Sequence, residues 1–184
     1  GGPRALSVVL SGLPADFPLP ILIVQHMPPL FTPMLARHLQ ADSNRPCAEA
    51  SHGAPIERGH TYVAPGDFHL EIGKRNDRMV CLLNQEPPEH FCRPSVNPLF
   101  RTAASWYGSG VLAVMLTGMG EDGIEGTRDV VAYNGRVVAQ DQATSTVWGM
   151  PGAVVRAGLA HDVLPLDAVA PAVLRLCTQE AIRQ

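Results

Sequence analysis

The sequence is poor in positive charge, and nearly all of the charge it has is arginine. Lys74 is the only lysine among 14 Lys and Arg residues, and the formal net charge is −3. Because a nucleic-acid-binding protein needs a basic patch or stripe, this pattern argues against a DNA or RNA partner. The sequence also shows no signal-peptide pattern and no apolar run long enough to span a bilayer. We therefore expect a cytoplasmic protein that does not insert into a membrane.

The cysteines and histidines show none of the spacings that indicate a metal site. No two of the four cysteines form a C-x-x-C pair; they are Cys47, Cys81, Cys92 and Cys177. A metallohydrolase has little support either, because His52, His60 and His69 do not form an H-E-x-x-H motif. A chain of 184 residues buries a core without disulfides. We expect reduced thiols and no bound metal.

Apolar runs of strand length alternate with helical patterns along most of the chain. The segments are strand-like at 20–25, 111–116 and 136–140, and helical at 32–39, 123–133 and 166–176. This order predicts an α/β fold with a mostly parallel, doubly wound sheet and helices on both faces. Thr32 and Ser95 are predicted N-caps of helices, and Pro33 follows the first of them at a favourable position.

The middle of the chain has a different pattern. Short strands at 61–64, 68–71 and 79–82 are separated by Pro65-Gly66-Asp67 and by a polar turn at 73–77. Turns of this kind predict antiparallel β-hairpins that extend the sheet.

The first residues predict that the sequence starts inside a strand–turn–helix unit. Gly1-Gly2-Pro3 leads directly into an apolar helical pattern at 4–10. In a parallel α/β protein, a glycine turn that opens a helix normally follows a strand. Such units often carry a nucleophile or a phosphate site, so this end of the chain is a candidate functional region.

His26 and Asp122 each follow a predicted parallel strand, and the functional sites of such sheets lie at the carboxyl ends of the strands. Asp122 is either the acid that orients His26 in a triad or only the N-cap of the helix that follows it. The glycines at 118, 120 and 123 favour the first reading, because a plain cap does not need them. The stretch lacks the G-x-x-x-x-G-K-[ST] spacing of a phosphate-binding loop.

Two further segments are less specific. Residues 140–151 are rich in Ser, Thr and Gly and follow a strand. They form either part of the same sheet edge as His26 and Asp122 or an ordinary turn. Arg93, just before Pro94, is either a substrate carboxylate ligand or a solvated side chain.

Six motifs stand in one order along the chain. They are Gly-Gly-Pro-x-Ala-Leu at 1–6, Gln-His-Met-Pro at 25–28, Tyr-Val-Ala-Pro-Gly at 62–66 with His69, Arg-Pro-Ser-Val at 93–96, Leu-Thr-Gly-Met-Gly-x-Asp-Gly at 116–123, and Gln-Asp-x-Ala-Thr-Ser at 140–145 with Gly-Met-Pro at 149–151. Together they resemble the catalytic domain of the chemotaxis receptor methylesterases, the protein-glutamate methylesterases of bacterial two-component systems. The resemblance runs from residue 1 to about residue 177.

The resemblance implies a role for each matching residue. The family's nucleophile is the serine of a Ser-Thr-Gly-Gly turn, whose glycines match Gly1 and Gly2. His26 matches the general base, Asp122 the acid, and Met119 a residue whose backbone N–H lies at the oxyanion hole. Residues 1–184 then form the catalytic domain, cut at the nucleophile turn and without the family's receiver domain.

The serine itself is absent from the sequence, and the other serines are poor substitutes. Ser7 and Ser11 fall inside the first predicted helix, and Ser145 is not in a nucleophile turn.

The activity implied is hydrolysis of glutamyl methyl esters on the cytoplasmic helices of chemoreceptors. Some relatives also deamidate receptor glutamines. No metal or organic cofactor is needed, and an upstream receiver domain is a further expected partner. A catalytically silent domain that only docks on receptors or signalling partners is the alternative.

Overall fold

The computed structural model describes residues 1–183, with side chains described as far as residue 177. The helices are α1 (Gly2–Ser11), α2 (Thr32–Ser43), α3 (Val96–Tyr107), α4 (Ile124–Ala132), α5 (Met150–Arg156) and α6 (Leu166–Arg183). The strands are β1 (Ile21–Ile23), β2 (Cys47–Glu49), β3 (Thr61–Val63), β4 (His69–Arg75), β5 (Arg78–Asn84), β6 (Leu112–Met115), β7 (Arg136–Gln140) and β8 (Asp162–Leu164). No helix among these residues is both long and apolar enough to cross a membrane.

The strands form two parallel sheets and one antiparallel hairpin. The parallel sheets have the orders β1-β3-β2 and β6-β7-β8, and the hairpin is β4-β5. The predicted α/β class, with its parallel sheet and hairpin extension, is confirmed. The prediction that residues 61–64 belong to the hairpin region is wrong, because β3 pairs in parallel with β1 and β2. All three residues of β3 are buried, as a strand covered on both faces requires.

Alternate residues of β6 enter two different cores. Leu112 and Val114 pack against the cluster that contains Leu10 of α1, Leu35 of α2 and Val169 of α6. Ala113 and Met115 belong to the cluster formed with α3, α4 and α5. Because successive strand side chains point to opposite faces, this division places one helical layer on each side of the sheet.

Strands β1 and β6 are the edges of their sheets, and a shared cavity of about 990 Å³ lies along both. The cavity is lined by residues 21–26 and 111–119, which are these strands and the segments that continue them. Val24, which follows β1, packs against the α3–α5 core. It also packs against a third core cluster, which contains Leu70 of β4 and Cys81 of β5. The two parallel sheets are therefore parts of one layer, with the cavity between them.

The two predicted helix caps have different outcomes. Ser95 is the N-cap of α3, and its hydroxyl accepts a hydrogen bond from the backbone N–H of Asn97. Thr32 is not a cap, because α2 has Phe31 at that position. The Thr32 hydroxyl instead donates to Glu49 at 2.7 Å and accepts from the backbone of Gly66. The Thr32 side chain therefore makes tertiary hydrogen bonds and not the predicted local capping bond.

Arg45 ties the end of α2 to the first parallel sheet. Its side chain is only 1% exposed. The guanidinium donates to the Thr61 hydroxyl and to the carbonyls of Phe17, Leu19 and His60. This buried charge therefore has a hydrogen-bond acceptor on every nitrogen, as an internal cation requires.

We predict that Arg45→Lys lowers the free energy of unfolding by about 2–3 kcal/mol, because an ammonium cannot reach all four acceptors and leaves buried carbonyls unsatisfied. Urea denaturation measures this change. Arg78→Lys is the matched control, since the Arg78 side chain is 62% exposed. Equal stability of the two variants would contradict the structural role of Arg45.

Candidate active site

His26 and Asp122 meet at the carboxyl ends of β1 and β6. The Nε2 atom of His26 lies 2.7 Å from Oδ2 of Asp122. The His26 side chain is 27% exposed, whereas Asp122 is 2% exposed. The sequence predicted this contact from the two strand ends, and the structure confirms the contact. The catalytic role of the pair remains a prediction.

The Asp122 carboxylate also holds the start of α3. Its Oδ1 accepts a hydrogen bond of 2.6 Å from the Ser95 hydroxyl, and its Oδ2 accepts one of 2.9 Å from the Val96 backbone N–H. The alternative that Asp122 caps α4 is wrong, because the N-cap of α4 is Gly123 and no side chain caps that helix. Asp122 is thus bound at the N-terminus of a different helix, one remote in sequence.

The surroundings of Asp122 keep it ionised. Burial acts to raise the pKa of its carboxyl, but hydrogen bonds from His26, Ser95 and Val96 outweigh burial and lower the pKa. Because an ionised carboxylate can only accept hydrogen bonds, the hydrogen between the pair lies on Nε2 of His26. In the neutral imidazole Nδ1 then carries the lone pair, and no hydrogen bond to Nδ1 is found among the residues whose side chains are described. His26 is oriented to accept a proton at Nδ1.

The N-terminus of α1 lies on the same rim. Gly1, Gly2, His26 and Met119 all line the cavity between β1 and β6. Gly2 lies so close to the Gln25 amide that a Cβ atom there would be 2.5 Å from its Oε1. This agrees with the predicted proximity of the glycine turn to His26, and only glycine fits this approach without a shift of Gln25.

The segment at 117–123 presents a free backbone donor beside His26. Gly118 is held by hydrogen bonds from its N–H to Val147 and from the Met150 N–H to its carbonyl. Met119 follows, with its side chain 78% exposed. Its N–H makes no hydrogen bond within the described part of the chain. A fixed backbone with an unused N–H is what an oxyanion donor requires.

Arg93 lies near the pair, but its guanidinium already has partners. It donates to Asp67 at 2.7 Å and to the carbonyls of Gln85 and Glu86. It also lines a smaller cavity of about 310 Å³ that His26 borders. A role in substrate binding stays a prediction, and the contact with Asp67 is its structural role.

The hydroxyls of the other candidate serines donate hydrogen bonds to groups other than His26. Ser7 donates to Asp42, and Ser11 donates to the carbonyl of Ser7. Ser145 donates to the carbonyl of Asp141 at 2.6 Å.

Two of the histidines of the alternative metal site also have other hydrogen-bond partners. His52 accepts from the Leu83 N–H, and Nδ1 of His69 accepts from the Ser95 N–H. Among the described side chains, three metal-ligating types meet at His26, Cys92 and Asp122 instead. Neither Cys92 nor Ser95 could be placed at this site from spacing, because the loop paths bring them there.

We predict that Asp122→Asn lowers the free energy of unfolding by about 1.5–3 kcal/mol at neutral pH, since charge-assisted hydrogen bonds are lost. The folded-state pKa of Asp122 lies below its unfolded value of about 3.9, so the contribution of its charge is complete above that pH. The stability difference between parent and variant should therefore shrink as the pH falls below about 4. Urea titrations at several pH values measure it, and a difference independent of pH would contradict the assignment.

The comparisons with known proteins agree with one another. The family model described as CheB methylesterase matches residues 1–173. A protein-glutamate methylesterase/protein-glutamine glutaminase of Rhodopseudomonas palustris is 48% identical over 96% of this chain and 45% of its own length. One from a Nocardioides species is 50% identical over 95% of this chain and 48% of its own length. The chain thus spans about half the length of these curated relatives.

A solved structure matches the fold as well. The crystal structure of the Thermotoga maritima CheB methylesterase catalytic domain is 41% identical, with a TM-score of 0.93, over 96% of this chain and 93% of that one. The match covers the sheets, the helices and the hairpin together. With the family model covering nearly the whole sequence, this chain belongs to the CheB methylesterase family.

Proposed function

We propose that this chain is the catalytic domain of a protein-glutamate methylesterase that hydrolyses glutamyl methyl esters of chemoreceptors in the bacterial cytoplasm. The observation that carries the proposal is the buried Asp122 carboxylate bonded to Nε2 of His26 at 2.7 Å, at the joint carboxyl ends of β1 and β6. The relatives' names add protein-glutamine glutaminase activity. Deamidation of receptor glutamines is therefore the second expected reaction, since it also begins with attack on a carbonyl carbon.

The nucleophile of this proposal is a serine that precedes Gly1 on a β-strand filling the cavity between β1 and β6. The cavity of about 990 Å³ is lined largely by apolar side chains, and covering apolar walls removes them from water, which is favourable. A strand between two parallel edges satisfies both edges and the apolar walls, and its carboxyl end emerges beside His26.

The chemistry follows from the geometry. Nδ1 of His26 takes the serine proton as the hydroxyl attacks the ester carbonyl, while Asp122 stabilises the imidazolium that forms. The Met119 N–H donates to the developing oxyanion, an interaction worth about 2.7–4 kcal/mol per donor. His26 returns the proton to the leaving methoxide, and methanol departs. Water then repeats the sequence and releases the glutamate.

The surface around the pair supports a helical substrate. Phe91 is 103% exposed and Met119 is 78% exposed. Met119 lines the larger cavity and Phe91 the smaller one, and His26 lines both. Leu30, shortly after His26 in sequence, is 76% exposed. Exposed apolar side chains of this kind suit the apolar stripe of an amphipathic helix, which is the form expected of a receptor's cytoplasmic segment. An upstream receiver domain is the further partner that we propose.

We predict that residues 1–184 alone release almost no methanol from a methylated chemoreceptor, and that a strand-forming extension ending in Ser-Thr before Gly1 restores release. The matched control is the same extension with Ala-Thr, which should be about 10⁶-fold slower in kcat. Both extensions should raise the free energy of unfolding equally, since both fill the cavity. Full activity without the extension contradicts the assignment, and a stable but inactive Ser-Thr protein favours a docking domain.

In the active protein, Asp122→Asn should fold and lose most of its kcat with little change in KM. The amide keeps acceptors for the Val96 N–H but cannot stabilise an imidazolium; in another serine hydrolase this change cost about 10⁴-fold. Glu121→Gln, in the same loop and exposed, is the control and should retain parental turnover. Steady-state methanol release measures both, and near-parental kcat in Asp122→Asn would leave His26 without a catalytic partner.

A further inference from the structure

Cys92 adds a soft metal ligand to the His26–Asp122 pair. One potential ligand atom from each of the three side chains lies within 4.8 Å of the other two. Tetrahedral zinc has bonds of about 2.0–2.3 Å, which places its ligand atoms about 3.3–3.6 Å apart. Shifts of about 1 Å therefore bring all three atoms into coordination distance of one ion.

The backbone fixes Cys92 at this place. Glu89 and Cys92 exchange two backbone hydrogen bonds, of 3.1 and 2.9 Å, across a two-residue turn. The turn residues His90 and Phe91 both have positive φ, at 50° and 63°, as a type I′ turn requires. The thiol itself donates only weakly, to the His90 carbonyl at 3.2 Å. A ligand held by its main chain, with a weakly bound side chain, is available to a metal at little cost.

The charges of the three groups suit a divalent ion. A dication displaces the thiol proton of Cys92 as it binds, so the cysteine coordinates as a thiolate. One thiolate, one carboxylate and one neutral imidazole then balance the two charges of the ion.

There is also a route to two of the three side chains, His26 and Cys92. The smaller cavity, of about 310 Å³, is lined by His26, Met27, Pro28, Phe91, Cys92, Arg93 and Pro94. The positive charge of Arg93 in this wall is paired with Asp67 at 2.7 Å. The cavity has room for a water molecule as a fourth ligand, which completes a tetrahedron.

We propose that His26, Cys92 and Asp122 bind one Zn²⁺ ion, and that this ion inhibits the enzyme. Zinc takes the Nε2 lone pair of His26, whose hydrogen moves to Nδ1, and a carboxylate oxygen of Asp122, so Nδ1 can no longer accept the nucleophile's proton. The site is regulatory, since the proposed hydrolysis needs no metal. Zinc binding is independent of the proposed function, and only its inhibitory effect rests on that function.

The first test is a zinc titration of the chelator-treated 184-residue chain by calorimetry with a competing chelator. We expect one Zn²⁺ per chain and at least about a 10-fold weaker affinity in Cys92→Ser, since losing even an outer-shell partner costs about 10–100-fold. His26→Gln should weaken binding similarly. His60→Gln is the matched control, because His60 is an exposed histidine beside Glu57, and it should bind as the parent does. Circular dichroism and thermal melting establish that each variant is folded.

The second test identifies the ligand atom. Cd²⁺ bound at this site should give a thiolate-to-metal ultraviolet absorption band that Cys92→Ser removes. Equal zinc affinity in the parent and Cys92→Ser, or cadmium binding without the thiolate band, overturns the proposal.

The inhibitory effect is tested on a preparation that hydrolyses methyl esters. Each variant's activity with Zn²⁺ is compared with its own metal-free activity, and the zinc concentration for half-inhibition should rise at least about 10-fold in Cys92→Ser. Unchanged sensitivity in this variant overturns the inhibitory part. A protein that binds zinc through Cys92 but hydrolyses no ester supports the site while it contradicts the proposed function.

Discussion

The hydrogen bond between His26 and Asp122 joins two parts of the sheet that do not pair with each other. His26 follows β1 in one parallel sheet, and Asp122 follows β6 in the other. The same carboxylate accepts hydrogen bonds from Ser95 and Val96, so it also fixes the start of α3. One buried charge thus orients the candidate base, anchors a helix and sets the spacing of two half-sheets. Its three donors are needed because a buried carboxylate without them would be protonated.

The sequence predicted those parts of the fold that a local pattern determines. Strand β7 was predicted with its observed bounds, because a polar residue or turn stands on each side of its apolar run. His26 and Asp122 were placed together from strand ends alone, which depends only on parallel topology. Strands β2 and β8 have three residues each, too few for an alternating pattern, and the sequence did not indicate them. The Pro65-Gly66 turn that follows β3 predicts a hairpin, whereas the neighbours of β3 in the sheet are distant in sequence.

The rest of the site depends on loop paths that no spacing encodes. Ser95 was correctly predicted as a cap, but its bond to Asp122 crosses 27 positions of sequence. Cys92 reaches the pair because a turn with two positive φ values reverses the chain just before the helix. Thr32 does not cap its helix as predicted. Its hydroxyl instead bonds to Glu49 and Gly66, which only the folded chain brings within reach. Local sequence preferences account for the residue types at these positions, whereas tertiary contacts determine their hydrogen-bond partners.

The position of the cavity couples stability to chemistry. It runs along β1 and β6, and its lining includes Gly1, His26 and Met119. On the proposal that a strand carrying the nucleophile fills it, one segment completes the core and delivers the hydroxyl to Nδ1 of His26. The apolar burial that favours the inserted strand then also restricts the position of the serine, so orientation comes from packing and not from added polar contacts. A triad assembled in this way is as rigid as the core beneath it, which is what preorganised catalysis requires.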